Sequence, residues 1–129
     1  MTAFDDLMTE VMATAEHFGH REHVHVTWLA IRRFGLPATI SMVDSGLRST
    51  ARYAGVPQKY NATISRAWVV LVAHHLQQTP TDDFGEFIGQ HPELLDKRLL
   101  MRFYLPSTLA STAARDGWVE PDRTRLPAI

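Results

Sequence analysis

Apolar residues recur three and four positions apart along most of this chain, a spacing that places them on one face of a helix. The clearest case is the stretch 58–78, in which Tyr60, Ile64, Trp68 and Leu71 share a face. Valines beside that face widen the apolar sector, so neighbouring elements must cover most of this helix. No stretch alternates apolar and polar residues strongly enough to favour a strand. The pattern predicts an all-α fold with a central helix.

Two further long helices are predicted before the central one. Residues 20–34 place Val24, Trp28 and Ile31 on one face, and two arginines, a glycine and a proline close the segment. Residues 38–57 form the next helix, which ends in a glycine followed by a hydrophobic residue. Because only a few residues connect the three helices, we expect an up-down-up bundle in which the first and third are parallel.

Shorter elements are expected on either side of this core. A short N-terminal helix precedes Gly19, with Thr2 and Asp5 as its capping pair. A C-terminal helix follows the central one and is broken at Pro92. Its second half is predicted to bury one stripe of residues, Leu95, Leu99 and Phe103.

The last residues are predicted to run extended, because two prolines, Pro121 and Pro127, oppose helix there. We expect this tail to fold back onto the bundle and bury Trp118, since an isolated tryptophan would leave a large apolar surface in water.

The length and composition indicate one globular domain over residues 1–129. Apolar residues make up 45% of the 129 positions and charged residues 21%, which is typical of a chain that folds around a single core. The chain has no cysteine, so disulfides, thiolate nucleophiles and iron–sulfur sites are excluded. Any metal ion would have to bind His, Asp, Glu or Asn.

Charge and hydropathy argue against nucleic acid and membrane partners. The formal net charge is −1, which provides no basic surface for a polyanion, and the longest apolar run is only "AWVVLVA". The stretch "STARYAGVPQKYNATISRAW" contains residues in an order similar to that of a helix-turn-helix motif. The spacing from Gly55 to Ile64 is too long for the turn of that motif. The N-terminal residues are acidic where a secretory signal is basic, so we expect a cytoplasmic protein.

The stretch "HFGHREHVH" holds four of the seven histidines. His20 and His23 are three residues apart and share a helix face. Parallel first and third helices would place them at the same end of the bundle as four polar residues at the start of the central helix: Lys59, Tyr60, Asn61 and Thr63. This convergence predicts a pocket at that end.

Within this pocket His20 and His23 are the candidate catalytic residues, because imidazoles move protons near neutral pH. The candidate substrate-binding residues are Lys59, Tyr60, Asn61, Thr63, Trp28 and Arg102. Each of these side chains would also be expected at its position without a functional role, either exposed to solvent or packed in the core. We expect no cofactor, because two histidines without a third ligand rarely form a tight metal site; a metal on His20 and His23 stays an open alternative.

The other histidines are assigned structural positions. His74 and His75 come at the last turn of the central helix, where histidine suits the negative end of the helix dipole. His91 precedes Pro92 in a capping position. His25 points away from His20 and His23.

Three motifs, "HREHVHVTW", "KYNATISRAW" and "PELLDKRLLMRFYLPSTLASTAARDGWVEPD", resemble a family of small bacterial helical proteins of uncharacterised function. The resemblance covers about residues 17–122. It implies a functional pocket at the bundle end, with His20 and His23 matching the two histidines of the family's first motif. The family's second motif usually has histidine where this chain has Asn61, and this departure counts against a three-histidine metal site.

These features favour a cytoplasmic helical-bundle enzyme that acts on a small polar metabolite by histidine acid/base chemistry. Elimination, isomerisation and cyclisation fit that chemistry, so a lyase or an isomerase is expected. Two alternatives stay open: a non-catalytic ligand-binding or accessory protein, and a histidine-based metal-binding protein. The sequence leaves open whether the chain is a monomer or a homodimer.

Overall fold

Helices dominate the computed structural model, which describes residues 2–128 and contains no strand over that range. The α-helices are α1 (Ala3–Met12), α2 (His20–Phe34), α3 (Leu36–Tyr53), α4 (Ala62–Gln78), α5 (Phe84–Gln90), α6 (Pro106–Leu109) and α7 (Thr112–Asp116). Short 3-10 segments run over Pro57–Lys59, Pro92–Leu95 and Lys97–Arg102. The prediction of an all-α helical bundle is confirmed.

The three long helices α2, α3 and α4 pack against one another, and α1 packs against α2 and α3. The start of α2 lies beside the first turns of α4, where the His20 ring is 4.5 Å from the Trp68 ring. α2 and α4 therefore begin at the same end of the bundle, as the short connections predict. Trp68, Leu71 and Val72 of α4 are almost completely buried, which agrees with a central position for that helix.

α1 begins as predicted but ends earlier. The Thr2 hydroxyl accepts from the Asp5 N–H at 3.1 Å and the Asp5 carboxylate accepts from the Thr2 N–H at 2.9 Å, so the capping pair is confirmed. The helix ends at Met12 and residues 13–19 form turns and bends. Gly46 of α3 allows the close approach of α1, since a Cβ there would lie 2.4 Å from the Phe4 ring.

The region after Pro92 differs from the prediction. Two 3-10 segments replace the expected α-helix, and they are interrupted at Asp96, whose backbone is extended. A 3-10 helix has about three residues per turn, so the buried positions shift relative to an α-helical stripe. Leu95 is 37% exposed and Phe103 is only partly buried, both contrary to the prediction. Leu99 is buried as predicted, together with Leu94, Leu100 and Tyr104.

The tail folds back onto the bundle as expected. The Tyr104 hydroxyl donates to the Val119 carbonyl at 2.7 Å. Trp118 is only partly buried: its ring packs edge-on against Tyr104 and lies beneath the Arg66 guanidinium. Among residues 2–128, no helix has the length and apolar character needed to cross a membrane.

Candidate functional site

A hollow of about 360 Å³ lies between the last turns of α3 and the start of α4. Aliphatic side chains, including Leu47 and Ile64, form much of its wall. Four of the predicted site residues also line it: His23, Lys59, Tyr60 and Asn61. The structure thus brings half of the predicted site residues to one end of the bundle.

His23 is the histidine of α2 that reaches this hollow. Its Nε2 atom is buried and has no hydrogen-bond partner among the described residues. Burial lowers the pKa of His23 to about 4, and the neighbouring His20 acts in the same direction. Because burial disfavours the charged imidazolium, His23 is neutral at physiological pH and keeps a free lone pair. The same burial makes the ring a weak base until a negative charge lies beside it.

His20 does not line the hollow. Its Nε2 lies 2.9 Å from the Leu94 carbonyl oxygen, and since a carbonyl only accepts, Nε2–H must donate. Burial lowers the pKa of His20, while the bond to Leu94 works in the opposite direction. His20 therefore connects the start of α2 to the Pro92–Leu95 segment, and its ring centroid is 6.3 Å from that of His23.

Tyr60 has a partner that the sequence did not reveal. Its hydroxyl donates to the carboxylate of Asp44 on α3, and the Arg48 guanidinium lies 4.6 Å from its ring centroid. Burial, together with the Asp44 carboxylate, raises the pKa of Tyr60. The phenol is therefore held as a neutral donor to Asp44, sixteen residues earlier in the chain.

Asn61 and Thr63 have structural roles. Asn61 Oδ1 accepts from the Ile64 N–H at 2.9 Å, which caps α4, and its Nδ2 donates to the Leu109 carbonyl at 2.8 Å. The Thr63 hydroxyl donates to the Gly117 carbonyl at 2.7 Å and accepts from the Val119 N–H at 3.0 Å. Both side chains fasten the C-terminal segment to α4, so their main polar atoms are already engaged.

Trp28 and Arg102 lie away from the hollow. Trp28 is buried further along α2 with its ring centroid 5.5 Å from that of Phe84. Arg102 is exposed and lines a separate surface hollow with Glu93 and Asp96, since the 3-10 geometry turns it away from the core. Lys59 is exposed at the rim of the His23 hollow.

A second group of histidines comes together at the end of α4. The ring centroids of His75 and His91 are 4.8 Å apart, and both rings face the carboxylate of Glu93. From the sequence, these histidines are predicted to be structural, and Glu93 has no predicted role. The one signal that could have revealed them is the pattern His91–Pro92–Glu93 after a helix whose last turn contains His75.

Comparisons of the sequence with protein-family models and curated proteins, and of the structure with solved structures, find no match. The resemblance of three motifs to uncharacterised bacterial proteins therefore stays a prediction. Function has to be inferred from the side chains of this chain.

Proposed function

We propose that this chain is a helical-bundle enzyme that binds a small polar molecule in the hollow beside His23 and uses that imidazole as a proton acceptor. The observation that carries the proposal is the neutral, half-buried His23 ring in the hollow's wall, whose Nε2 has no partner among the described residues. A buried polar atom normally has a partner, and a ligand could supply one.

The surroundings of His23 favour an anionic metabolite. Lys59 places an ammonium group at the rim, where it would attract a carboxylate or phosphate. The aliphatic wall formed by Leu47 and Ile64 would cover the carbon skeleton and exclude water. Removal of a proton by His23 would begin an elimination, isomerisation or cyclisation, which are lyase or isomerase reactions. We place this activity in the bacterial cytoplasm, in line with the resemblance of the three motifs to bacterial proteins.

In this proposal the two histidines have different roles. His23 is the catalytic base, and His20 is a positioning residue that holds the start of α2 against Leu94. Tyr60 and Asn61 shape the hollow through their bonds to Asp44 and the Leu109 carbonyl. Thr63 does not line the hollow and fastens the C-terminal segment to α4. Trp28 and Arg102 do not line the hollow and have no role in the proposed activity.

A non-catalytic ligand-binding protein is the second candidate. Tyr60 and Asn61 already hydrogen-bond to Asp44 and to the Leu109 carbonyl. His23 and Lys59 are therefore the main polar groups left to contact a ligand, which favours binding without catalysis. A metal ion on His20 and His23 has less support, because the His20 Nε2 already faces a carbonyl and no carboxylate within residues 2–128 joins the two rings.

A thermal-shift screen with small carboxylates and phosphate esters tests the proposal. A ligand of the hollow should raise the melting temperature of the wild type and of His25→Gln, a control on the same helix whose ring stacks on Phe84 instead. It should not stabilise His23→Gln. If His23 is the base, this variant should also turn over the ligand at least about 100-fold more slowly.

Equal stabilisation of His23→Gln by every ligand found would contradict the assignment of the hollow as the site. Ligands that bind through His23 but undergo no reaction would favour the non-catalytic candidate. The melting temperatures without ligand show that each variant is folded before these comparisons are made.

A further inference from the structure

We propose that His75, His91 and Glu93 form a binding site for a divalent transition-metal ion, with Zn²⁺ as the first choice. The site is separate from the His23 hollow and does not depend on the proposed function. His75 lies in the last turn of α4, His91 caps the end of α5, and Glu93 lies in the 3-10 segment that follows.

The three side chains have the spacing of a metal ligand set. One ligand atom from each residue lies within 4.8 Å of the other two. Glu93 Oε1 is 3.2 Å from His75 Nε2 and 3.6 Å from His91 Nδ1. Ligands about 2.0–2.1 Å from a tetrahedral Zn²⁺ are separated by about 3.3 Å, so two of the three distances already fit. The ligand atoms of the two histidines lie no more than 4.8 Å apart.

Hydrogen bonds on the far side of each ring orient the ligand atoms. His75 Nδ1 lies 2.7 Å from the Leu71 carbonyl, which can only accept, so Nδ1 carries the proton and a neutral ring turns the lone pair of Nε2 toward Glu93. His91 Nε2 lies 2.8 Å from the Thr79 hydroxyl, and donation to that oxygen likewise leaves the Nδ1 lone pair facing Glu93. Metal-binding histidines are commonly held by such partners.

Lone pairs of two neutral imidazoles that face one carboxylate oxygen repel it unless a positive charge lies between them. A proton on one ring would supply that charge, and so would a metal ion. Two imidazoles and one carboxylate form a ligand set that Zn²⁺ and Fe²⁺ accept. Within residues 2–128, no other group of three such side chains comes this close together.

The burial of the three residues suits an ion that exchanges with solvent. The side chains of His75 and His91 are 15% and 13% exposed and that of Glu93 is 37% exposed, so the ligands are shielded but an ion can enter. Three protein ligands would leave a fourth coordination position for water or another small ligand.

Titration of the purified, chelator-treated protein with Co²⁺ tests the proposal, because four-coordinate Co²⁺ has an intense visible absorption, and Zn²⁺ competition then reports the affinity for zinc. We expect one Co²⁺ per chain, displaced by Zn²⁺. Glu93→Gln and His91→Gln should each weaken Co²⁺ binding by at least about 100-fold. Loss of a residue that only hydrogen-bonds to a ligand costs up to about 100-fold, and loss of a ligand itself should cost no less. The half-exposed Glu93 is the safer substitution for the fold.

His74→Gln is the matched control, because His74 neighbours His75 but bonds to the Ala128 carbonyl instead. It should bind Co²⁺ like the wild type, and so should His23→Gln. The absence of stoichiometric Co²⁺ binding in the wild type would overturn the proposal. Equal losses in His74→Gln and Glu93→Gln, when circular dichroism shows both to be folded, would do the same.

Discussion

Two pairs of histidines in this molecule are arranged in opposite ways. In the pair at the start of α2, the His20 and His23 rings are 6.3 Å apart, one is bonded to a carbonyl and the other has a buried nitrogen without a described partner. In the pair formed by His75 and His91, the rings are 4.8 Å apart and face one carboxylate. In this chain the pair that is close in the sequence is therefore the poorer candidate for a shared ligand, and the pair that faces one carboxylate is the better one.

The two pairs also share one structural element. The Pro92–Leu95 segment supplies the Leu94 carbonyl that accepts from His20 and the Glu93 carboxylate that faces His75 and His91. The position of His20 and the position of Glu93 are thus set by the same turn. A substitution in either pair can therefore be tested for an effect on the other pair.

Acidification should produce the largest effect, and it concerns the first pair. The pKa of His23 is about 4 in the folded protein, below its ordinary value of 6.5 in the unfolded chain. The unfolded state therefore binds the proton first, and stability is lost as the pH falls from 6.5 to 4. The contribution of His23 to this loss is roughly 3 kcal/mol.

Denaturant unfolding at several pH values measures the loss of folding stability between pH 6.5 and 4. The loss should be smaller by roughly 3 kcal/mol in His23→Gln than in the wild type, because the variant has no imidazole to protonate at this position. The two proteins differ only at position 23, so the difference between their stability curves reports on this ring. Parallel stability curves for the two proteins would show that His23 is not held neutral by burial.

Zinc should produce the next largest effect, and it concerns the second pair. A ligand at 100 times its dissociation constant stabilises the folded state by about 2.7 kcal/mol. We expect this stabilisation in the wild type and in His23→Gln, and we expect it to be absent in Glu93→Gln. Unfolding measurements with and without Zn²⁺ make the comparison, and stabilisation of Glu93→Gln to the wild-type extent would place the zinc elsewhere.

Thr79→Val should weaken Co²⁺ binding about tenfold, because the His91 ring would lose the hydroxyl that orients it. Thr81→Val is the matched control, since the Thr81 hydroxyl bonds to Glu86 and touches neither histidine. A Co²⁺ titration of both variants measures the difference. Equal affinities would mean that Thr79 does not orient His91.

His20→Gln should produce the smallest effect, a loss of about 1 kcal/mol of folding stability, because one hydrogen bond to the Leu94 carbonyl is replaced or lost. If the Pro92–Leu95 segment couples the two pairs, Co²⁺ affinity should also fall slightly in this variant. His17→Gln, on the turn before α2, is the control for both measurements. Unfolding of His20→Gln would show that the ring contributes more than this bond, including its packing against Trp68.

Much of the fold could be predicted because its signals are local. The spacing of apolar residues located α2, α3 and α4, and the Thr2–Asp5 pair marked the start of α1. The region after Pro92 was predicted less well, since an α-helix and a series of 3-10 turns have similar apolar patterns over a few residues. That difference moved Leu95 to the surface and Tyr104 into the core.

The candidate site was predicted only in part. Connectivity brought His23, Lys59, Tyr60 and Asn61 to one hollow, but it did not reveal that Tyr60 bonds to Asp44 or that Asn61 bonds to the Leu109 carbonyl. These partners are 16 and 48 residues away in the chain. A pattern within one helix carries no information about which distant group will satisfy a side chain.

By itself the sequence determined the three long helices, their order and the end of the bundle at which α2 and α4 begin. Backbone hydrogen bonding, capping and short connections act between residues close in the chain. Only the tertiary structure decided the partners of the histidines. His20 meets Leu94, and His75 meets Glu93, through the way the Pro92–Leu95 segment packs against α2 and the end of α4. A histidine's tautomer and free lone pair depend on that packing, and so does its capacity to accept a proton or bind a metal ion.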